Sequence, residues 1–143
     1  MSRAKTNRAM GAPRPGAPVA GERGQTMVEF ALIMPVLCMV LFAIIQFGIL
    51  YKDYLTLTDA TRVGARKAAV SRTTVDPVGL AEASVRNAAS DLRQADLDVD
   101  VTATAWAPGA DVTVEATYPY KVNVLGMVVA SGRLSSSITE RVE

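Results

Sequence analysis

The feature that most constrains this chain is a run of 22 residues without a charged side chain, residues 30–51. As an α-helix such a run is about 33 Å long, which is enough to cross a hydrocarbon core of about 30 Å. The apolar region of a cleavable signal peptide has only about 7–15 residues. A helix buried in a soluble core is the alternative, but it fits so long an uncharged run poorly. The run therefore predicts a single transmembrane helix.

The segments on either side of this run differ in charge. Residues 1–24 sum to +4 and contain three prolines but almost no large apolar side chain, so we expect a disordered basic leader. Residues 52–143 sum to −2. Because cytoplasmic flanks carry the excess of Lys and Arg, the N terminus should lie in the cytoplasm. The chain then divides into a leader at 1–24, a transmembrane helix at 25–51 and an extracytoplasmic domain at 52–143.

The composition narrows the possible functions. The chain has no His, a single Cys and a formal net charge of +1. The lack of His removes the commonest general base and the usual zinc ligands, and one Cys excludes both a disulfide framework and a thiolate cluster. A nearly neutral chain is also a poor candidate for binding nucleic acid. We therefore expect a protein that is not an enzyme and that has no cofactor, no bound metal and no nucleic-acid partner.

A small residue and a carboxylate, Gly24 and Glu29, stand five residues apart at the head of the apolar run. A charge at the edge of a membrane helix has a free-energy cost, which suits a functional role. A Glu in the first turn of a helix is, however, also favoured by the helix dipole. The residues alone leave both interpretations of Glu29 open.

The wider sequence at 22–35, ERGQTMVEFALIMP, resembles the N terminus of TadE-like proteins. These are minor pilins, or pseudopilins, of the tight-adherence (Tad, Flp-type) branch of type IV pilus systems. The likeness continues through residues 46–48 and 59–69 and returns faintly at 137–143. It is specific over residues 22–70.

The resemblance implies a processing step and a set of partners. A prepilin peptidase would cut between Gly24 and Gln25, leaving a mature chain of 119 residues once the first 24 of 143 are removed. Glu29 would be recognised by that peptidase and would pair with the amino terminus of a neighbouring subunit; an N-terminal Gln25 can cyclise, which would remove the amine. The implied partners are the lipid bilayer, the prepilin peptidase, other pilin subunits and the Tad assembly platform.

Three residues within the apolar run are candidates for helix packing: Pro35, Gln46 and Gly48. Pro35 predicts a kink because it lacks an N–H and crowds a carbonyl of the preceding turn, although Pro is also simply commoner in membrane helices. Gln46 could form a hydrogen bond to another helix, and Gly48 would permit close approach beside it.

The residues after the run predict a small pilin-like domain of the α+β class. Small and apolar residues at helical spacing extend the first helix to about residue 69: Tyr54, Leu57, Thr61, Gly64, Ala65 and Ala68. Residues 79–93, with Pro77 as a possible opening residue, predict a second helix. Its apolar side is predicted to be Leu80, Ala83, Ala88 and Leu92.

Alternating apolar residues then predict a three-stranded antiparallel sheet. The strands are expected near 97–105, 112–118 and 134–138. Residues 121–130 are apolar without a clear period, and a short helix and a loop packed on the sheet both stay open. Ser131 and Gly132 are expected to end that segment.

Three acidic residues alternate near the first strand, at Asp96, Asp98 and Asp100. A strand would place them on one face, where carboxylates could hold calcium. The spacing lacks the glycine and the distal glutamate of an EF-hand loop. An acidic, solvent-facing surface that protects a sheet edge is the favoured interpretation.

Two classes of function follow. The first is a TadE-like minor pilin, inserted by its helix, processed after Gly24 and taking part in assembly of a pilus for surface adherence. The second is an uncleaved single-pass membrane protein with a small extracytoplasmic protein-binding domain. Both place the protein in the cell membrane with the N terminus in the cytoplasm, and the first also places it in an extracellular pilus.

Overall fold

The computed structural model describes residues 20–124 and 126–143, with side chains described from Gly24 onward. The helices and strands in these ranges are α1 (Ala20–Ala69), α2 (Pro77–Ala88), β1 (Asp98–Ala103), β2 (Asp111–Val124) and β3 (Met127–Arg141). A long apolar N-terminal helix, a second helix and a three-stranded antiparallel sheet make an α+β fold. The predicted fold class is confirmed.

The first helix is longer than predicted at its N-terminal end. α1 begins at Ala20, five residues before the predicted boundary at Gln25, so the end of the predicted leader is helical. The rest of that leader, residues 1–19, lies outside the described residues. At the other end α1 continues past the apolar run to Ala69, as the helical spacing predicts. Arg66 and Lys67 in its last turn complement the negative end of the helix dipole.

The chain divides into two compact units, residues 1–38 and residues 39–143. The described part of the first unit is α1 alone. The second unit contains the rest of α1, α2 and the whole sheet. The domain that carries the buried core is therefore built entirely within residues 39–143.

The second helix begins where its sequence predicts. The side chain of Asp76 accepts a hydrogen bond from the main-chain N–H of Gly79 at 2.8 Å, which satisfies a donor of the first turn. Pro77 occupies the start of the helix, where its missing N–H has little cost. The helix ends at Ala88, five residues earlier than expected.

Three of the four residues predicted on the apolar side of α2 are wrong, and the fourth, Leu92, is buried but lies beyond the end of the helix. Leu80 is 38% exposed, and Ala83 and Ala88 are also exposed. The buried residues are instead spaced by four: Ala81, Val85 and Ala89. Because alanines occupy both sides of this helix, apolar spacing alone did not distinguish the side that faces the core.

The three strands form one sheet in the order β1-β2-β3, antiparallel throughout. The register pairs Val114 with Val101 on one side and with Ile138 on the other, so the apolar positions of all three strands share a face. Val112, Val114 and Ala116 on the central strand are fully buried. The alternation seen in the sequence is thus confirmed as one core-facing surface.

The second and third strands extend further than predicted. β2 continues to Val124 and β3 begins at Met127, so residues 121–130 are part of a long hairpin. The predictions of a short helix or a loop packed on the sheet are both wrong. A bulge between Val122 and Asn123 and a positive φ of 86° at Gly126 accompany the turn. The β-branched residues of this segment pack well in a strand, which explains the outcome.

Gly132 does not end the apolar segment as predicted, because it lies inside β3 opposite Tyr120. A Cβ built on Gly132 would lie only 2.9 Å from Cε1 of the Tyr120 ring. The glycine therefore makes room for an aromatic ring across the strand pair.

A cluster of buried residues joins α1, α2 and one face of the sheet. The buried positions that α1 contributes to it are mostly small: Leu57, Ala60, Thr61, Ala65, Ala68 and Ala69. A Cβ built on Gly64 would collide with the side chain of Val85, so the glycine permits close contact between the helices. Tyr54, predicted on the same stripe, is 43% exposed and lies outside this core.

Candidate processing and assembly segment

The peptide bond predicted to be cleaved, between Gly24 and Gln25, lies in the second turn of α1. A Cβ built on Gly24 meets no atom of the described residues within 4 Å. Packing within the described part of the chain therefore does not require a glycine at this position. Gly24 is exposed and accessible to another protein.

One turn further along, Gln25 and Glu29 contact each other on the helix surface. Nε2 of Gln25 donates a hydrogen bond to Oε1 of Glu29 at 3.2 Å. Both residues are exposed. The contact directs the carboxylate of Glu29 back toward the start of the helix, which is the side on which cleavage would create a new amino terminus.

The position of Glu29 in the helix bears on its two interpretations. Since α1 begins at Ala20, Glu29 is the tenth residue of the helix. The favourable effect of the helix dipole fades within the first turn, so it does not account for a carboxylate nearly three turns in. Cleavage after Gly24 would make Glu29 the fifth residue of the shortened helix. The helix dipole therefore does not explain Glu29, and its role in processing and assembly stays a prediction.

The helix that follows Glu29 is long and apolar enough to cross a membrane. Its most apolar window of 18 residues has a mean hydropathy of 2.7, and none of that window is buried among the described residues. Large side chains are open on its surface: Leu32 is 73% exposed, Ile44 63% and Phe47 68%. A core helix of a soluble domain would bury such residues, so the alternative of a soluble core helix is not supported.

Of the three candidate packing residues, Pro35 and Gly48 have no described packing partner that bears on their predicted role. α1 continues through Pro35, and the kink stays a prediction. A Cβ built on Gly48 meets no described atom within 4 Å, so this side of the helix is open. Contact of Pro35 or Gly48 with a neighbouring helix also stays a prediction.

Gln46 is bound within its own chain. Its Nε2 donates a hydrogen bond to the main-chain oxygen of Asn123, near the end of β2, at 2.8 Å. A shallow cleft beside this contact lies between α1 and β2 and is lined by Gln46, Ile49, Leu50, Asp53 and residues 118–122. The side-chain amide of Gln46 thus ties the far end of the hairpin to the apolar helix, whereas the sequence predicts another helix as its partner.

The three aspartates do not form one row on a strand. β1 begins at Asp98, so Asp96 precedes it, and Asp96 instead pairs with Arg93 at 3.2 Å. Asp98 lies 3.5 Å from Arg133 on the hairpin. Within residues 24–143, Leu125 apart, no group of three metal-ligating side chains is arranged to hold an ion. Asp96 and Asp98 are surface charges with basic neighbours, and Asp100 is exposed.

Sequence reasoning missed Asn123 and the hairpin end that carries it. The signal was present: residues 122–132 contain no charged side chain and are bounded by Lys121 and Arg133. Only their pairing as one hairpin shows that the segment reaches the apolar part of α1.

These features together describe a small α+β protein whose first helix is exposed, apolar and of membrane-crossing length. The sequence model of the TadE-like protein family matches residues 24–66, so the resemblance is confirmed over that segment and the chain is TadE-like there. The TadE-like family suggests a membrane protein associated with the Tad pilus, and that family is of a structural kind. No curated protein and no solved structure matched the chain.

Proposed function

We propose that this protein is a minor pilin, or pseudopilin, of a Tad (Flp-type) pilus that serves surface adherence. The observation that carries the proposal is the exposed apolar helix headed by Gly24 and Glu29, inside the segment that matches the TadE-like family. α1 inserts in the membrane, a prepilin peptidase cleaves after Gly24, and the remaining chain joins other pilin subunits on the Tad assembly platform.

The orientation of the protein follows from its charges. Residues 1–24 carry a net charge of +4 and stay in the cytoplasm, where the peptidase meets them. Residues 52–143 are carried to the outer side of the membrane. Their small core and surface ion pairs suit a passive structural subunit.

Glu29 supplies the specific contact of assembly. A carboxylate within an apolar environment is stabilised strongly by a cationic partner, because the alternative is an uncompensated charge. The amino terminus of a neighbouring subunit is such a cation. The hydrogen bond from Gln25 holds the carboxylate on the side of the helix start, where a neighbour's terminus would approach.

Gln25 determines how far this pairing can operate. Its amine becomes the new terminus after cleavage, and cyclisation of the glutamine would remove that positive charge. Recognition of Glu29 by the peptidase does not depend on the amine, because the amine is formed only when the peptidase cleaves. Processing and pairing are therefore separable roles of the same carboxylate.

The proposal is tested by fractionating cells that express the protein together with the Tad system. We expect the protein to resist extraction of membranes with alkaline carbonate, and a fraction of it to appear in the pili that shearing releases. The uncleaved single-pass alternative predicts that all of it stays in the membrane of sheared cells. Absence from both sheared pili and purified assembly platform would contradict a role in assembly.

A further inference from the structure

The hairpin tip, defined here as residues 122–132, is an unusual surface for an exported domain. It has no charged side chain over 11 residues, and Met127, Val128 and Val129 on β3 are 67%, 58% and 59% exposed. Three adjacent apolar side chains open to solvent on a small domain indicate a contact surface. The question is what covers them.

The depth of the tip is fixed by its contact with α1. Gln46, bonded to the main-chain oxygen of Asn123, lies six residues before Lys52, the first charged residue after the apolar run. At 1.5 Å per residue this is about 9 Å along the helix. If Lys52 lies at the membrane surface, Asn123 lies about 9 Å below it.

The direction of β2 carries the tip deeper still. Val114 of β2 lies 3.6 Å from a Cβ built on Gly64, whereas Asn123, nine residues later, is bonded to Gln46. The strand therefore runs along α1 toward the N terminus of the helix. β2 continues beyond Asn123 to Val124, at about 3.3 Å for each residue.

The borders of the tip have the residues that a membrane surface favours. Lys121 precedes it, and its long basic side chain can reach lipid phosphates from such a depth. Arg133 follows it and is bound to Asp98 and Thr117. Tyr118 and Tyr120 stand just before it on β2, at the level where tyrosines are enriched in membrane proteins. Aromatic, basic and apolar residues thus follow one another toward the tip, and all three kinds are found at a membrane surface.

We propose that the hairpin tip inserts into the outer leaflet of the membrane beside α1, as a second and reversible attachment of the subunit. The proposal rests on the proposed function only in that α1 spans the bilayer. Lipid is the occupant because the exposed apolar residues lie level with helix residues that lipid must cover. Within the described residues, the two strands of the tip bond to each other, and Gln46 binds the main-chain oxygen of Asn123. β1 pairs only with residues 112–117 of β2, so no further described strand covers the outer edges of the tip. The tip therefore lies at the boundary between headgroups and acyl chains, where water still reaches main-chain groups.

The experiment uses the full chain reconstituted in vesicles of phosphatidylcholine and phosphatidylglycerol. Cys38 is first replaced by alanine, and single cysteines are then introduced by Val128→Cys, Ile44→Cys and Ser137→Cys and labelled with an environment-sensitive fluorophore. Ile44 reports the span, and Ser137 is an exposed position near the other end of β3. Lipids with a nitroxide on the acyl chain then quench labels that lie among them.

The proposal expects a blue-shifted emission and strong quenching at position 128, close to that at 44, and little quenching at 137. Quenching at 44 without quenching at 128 would overturn the inference and leave the membrane anchor intact. A lack of quenching at 44 would contradict the proposed function itself. Met127→Cys provides a second reporter should Val128→Cys fold poorly.

A second copy of the chain is the competing occupant of the tip. In that case the label at 128 would be shielded but not quenched by lipid, and oxidation would link Val128→Cys chains to one another. The proposal expects no such link at high lipid-to-protein ratio. A disulfide link that persists on dilution with lipid would overturn the proposal and show that a second copy of the chain covers the tip.

Discussion

The side-chain amide of Gln46 and the main-chain oxygen of Asn123 are 2.8 Å apart, although the residues are separated by 77 positions in the chain. The bond joins the apolar part of α1 to the far end of the hairpin. A glutamine within a membrane helix has a cost unless its amide is paired, so the hairpin supplies a partner that lipid lacks. This relationship couples the sheet to the apolar helix.

Replacing Gln46 by leucine should loosen the hairpin tip. The substitution removes one hydrogen bond, worth about 0.5–1.5 kcal/mol net, and leaves the oxygen of Asn123 without this donor. Amide hydrogen exchange of the protein in detergent micelles should become about 2- to 10-fold faster around residues 120–132.

The matched control is Ile45→Leu, which changes a 48%-exposed neighbour on the same helix without touching the hydrogen bond. Its exchange pattern should equal that of the unaltered protein. Equal exchange in the Gln46→Leu protein would show that the contact does not hold the hairpin.

Gly64 should be far less tolerant of a side chain than Gly48. A Cβ on Gly64 collides with Val85 of α2, so Gly64→Ala should lower the free energy of unfolding by about 1–3 kcal/mol, despite the better helix propensity of alanine. Gly48 has open space around it, so Gly48→Ala should cause no loss. Thermal unfolding in detergent compares the two, and equal stability of both variants would contradict the close packing of α1 on α2.

The buried core of residues 39–143 depends on Leu57, the largest apolar side chain that the described part of α1 buries completely. Leu57→Ala removes a fully buried group and should lower stability by about 2–5 kcal/mol. Leu55→Ala, at a position that is 45% exposed, should change it by less than about 1 kcal/mol. Denaturant unfolding followed by the fluorescence of Trp106 measures both, and a Leu57→Ala chain as stable as Leu55→Ala would be inconsistent with the core described.

Glu29→Ala should leave membrane insertion unchanged and reduce incorporation into pili. The substitution makes the head of the helix more apolar, so insertion has no reason to fail, whereas the carboxylate that recognition and pairing require is gone. Sheared pili and membranes are compared by immunoblot. Glu115→Ala, which removes an exposed carboxylate on β2, is the control and should incorporate normally. Incorporation of the Glu29→Ala chain at the wild-type level would contradict a role of Glu29 in assembly.

The sequence predicts the elements whose periodicity is strong. The extension of α1 beyond the apolar run follows from small residues at helical spacing, and the pairing of Val114 with Val101 and Ile138 follows from alternation with a period of two. Asp76 and Pro77 likewise mark the start of α2 through capping chemistry that is local in sequence. Such features depend on near neighbours and can be predicted without the fold.

The features that escaped prediction depend on contacts between distant residues. The side of α2 that faces the core is determined by the contact of Val85 with Gly64 of α1. The alanine-rich sequence of α2 does not indicate that contact. Residues 121–124 and 127–130 become strand because they pair across the hairpin, and Gly132 is compatible with that strand because the ring of Tyr120 occupies its empty side. The partner of Gln46 was missed for the same reason.

The candidate site divides in a similar way. Gly24, Gln25 and Glu29 are close in sequence, so their spacing and the family resemblance could identify them, and the structure adds the hydrogen bond between Gln25 and Glu29. What no local pattern could show is that Glu29 lies well inside a longer helix that begins at Ala20. That position removes the helix-dipole explanation of Glu29, whereas its role in assembly stays a prediction.

The intact mass of the protein, extracted from membranes of cells with and without an active prepilin peptidase, tests the central claim most directly. The account predicts a chain of 119 residues beginning at Gln25 when the peptidase is present, and the full 143 residues when it is absent. A mass lower by one ammonia would identify a cyclised Gln25. A full-length chain in the presence of the active peptidase would contradict the account.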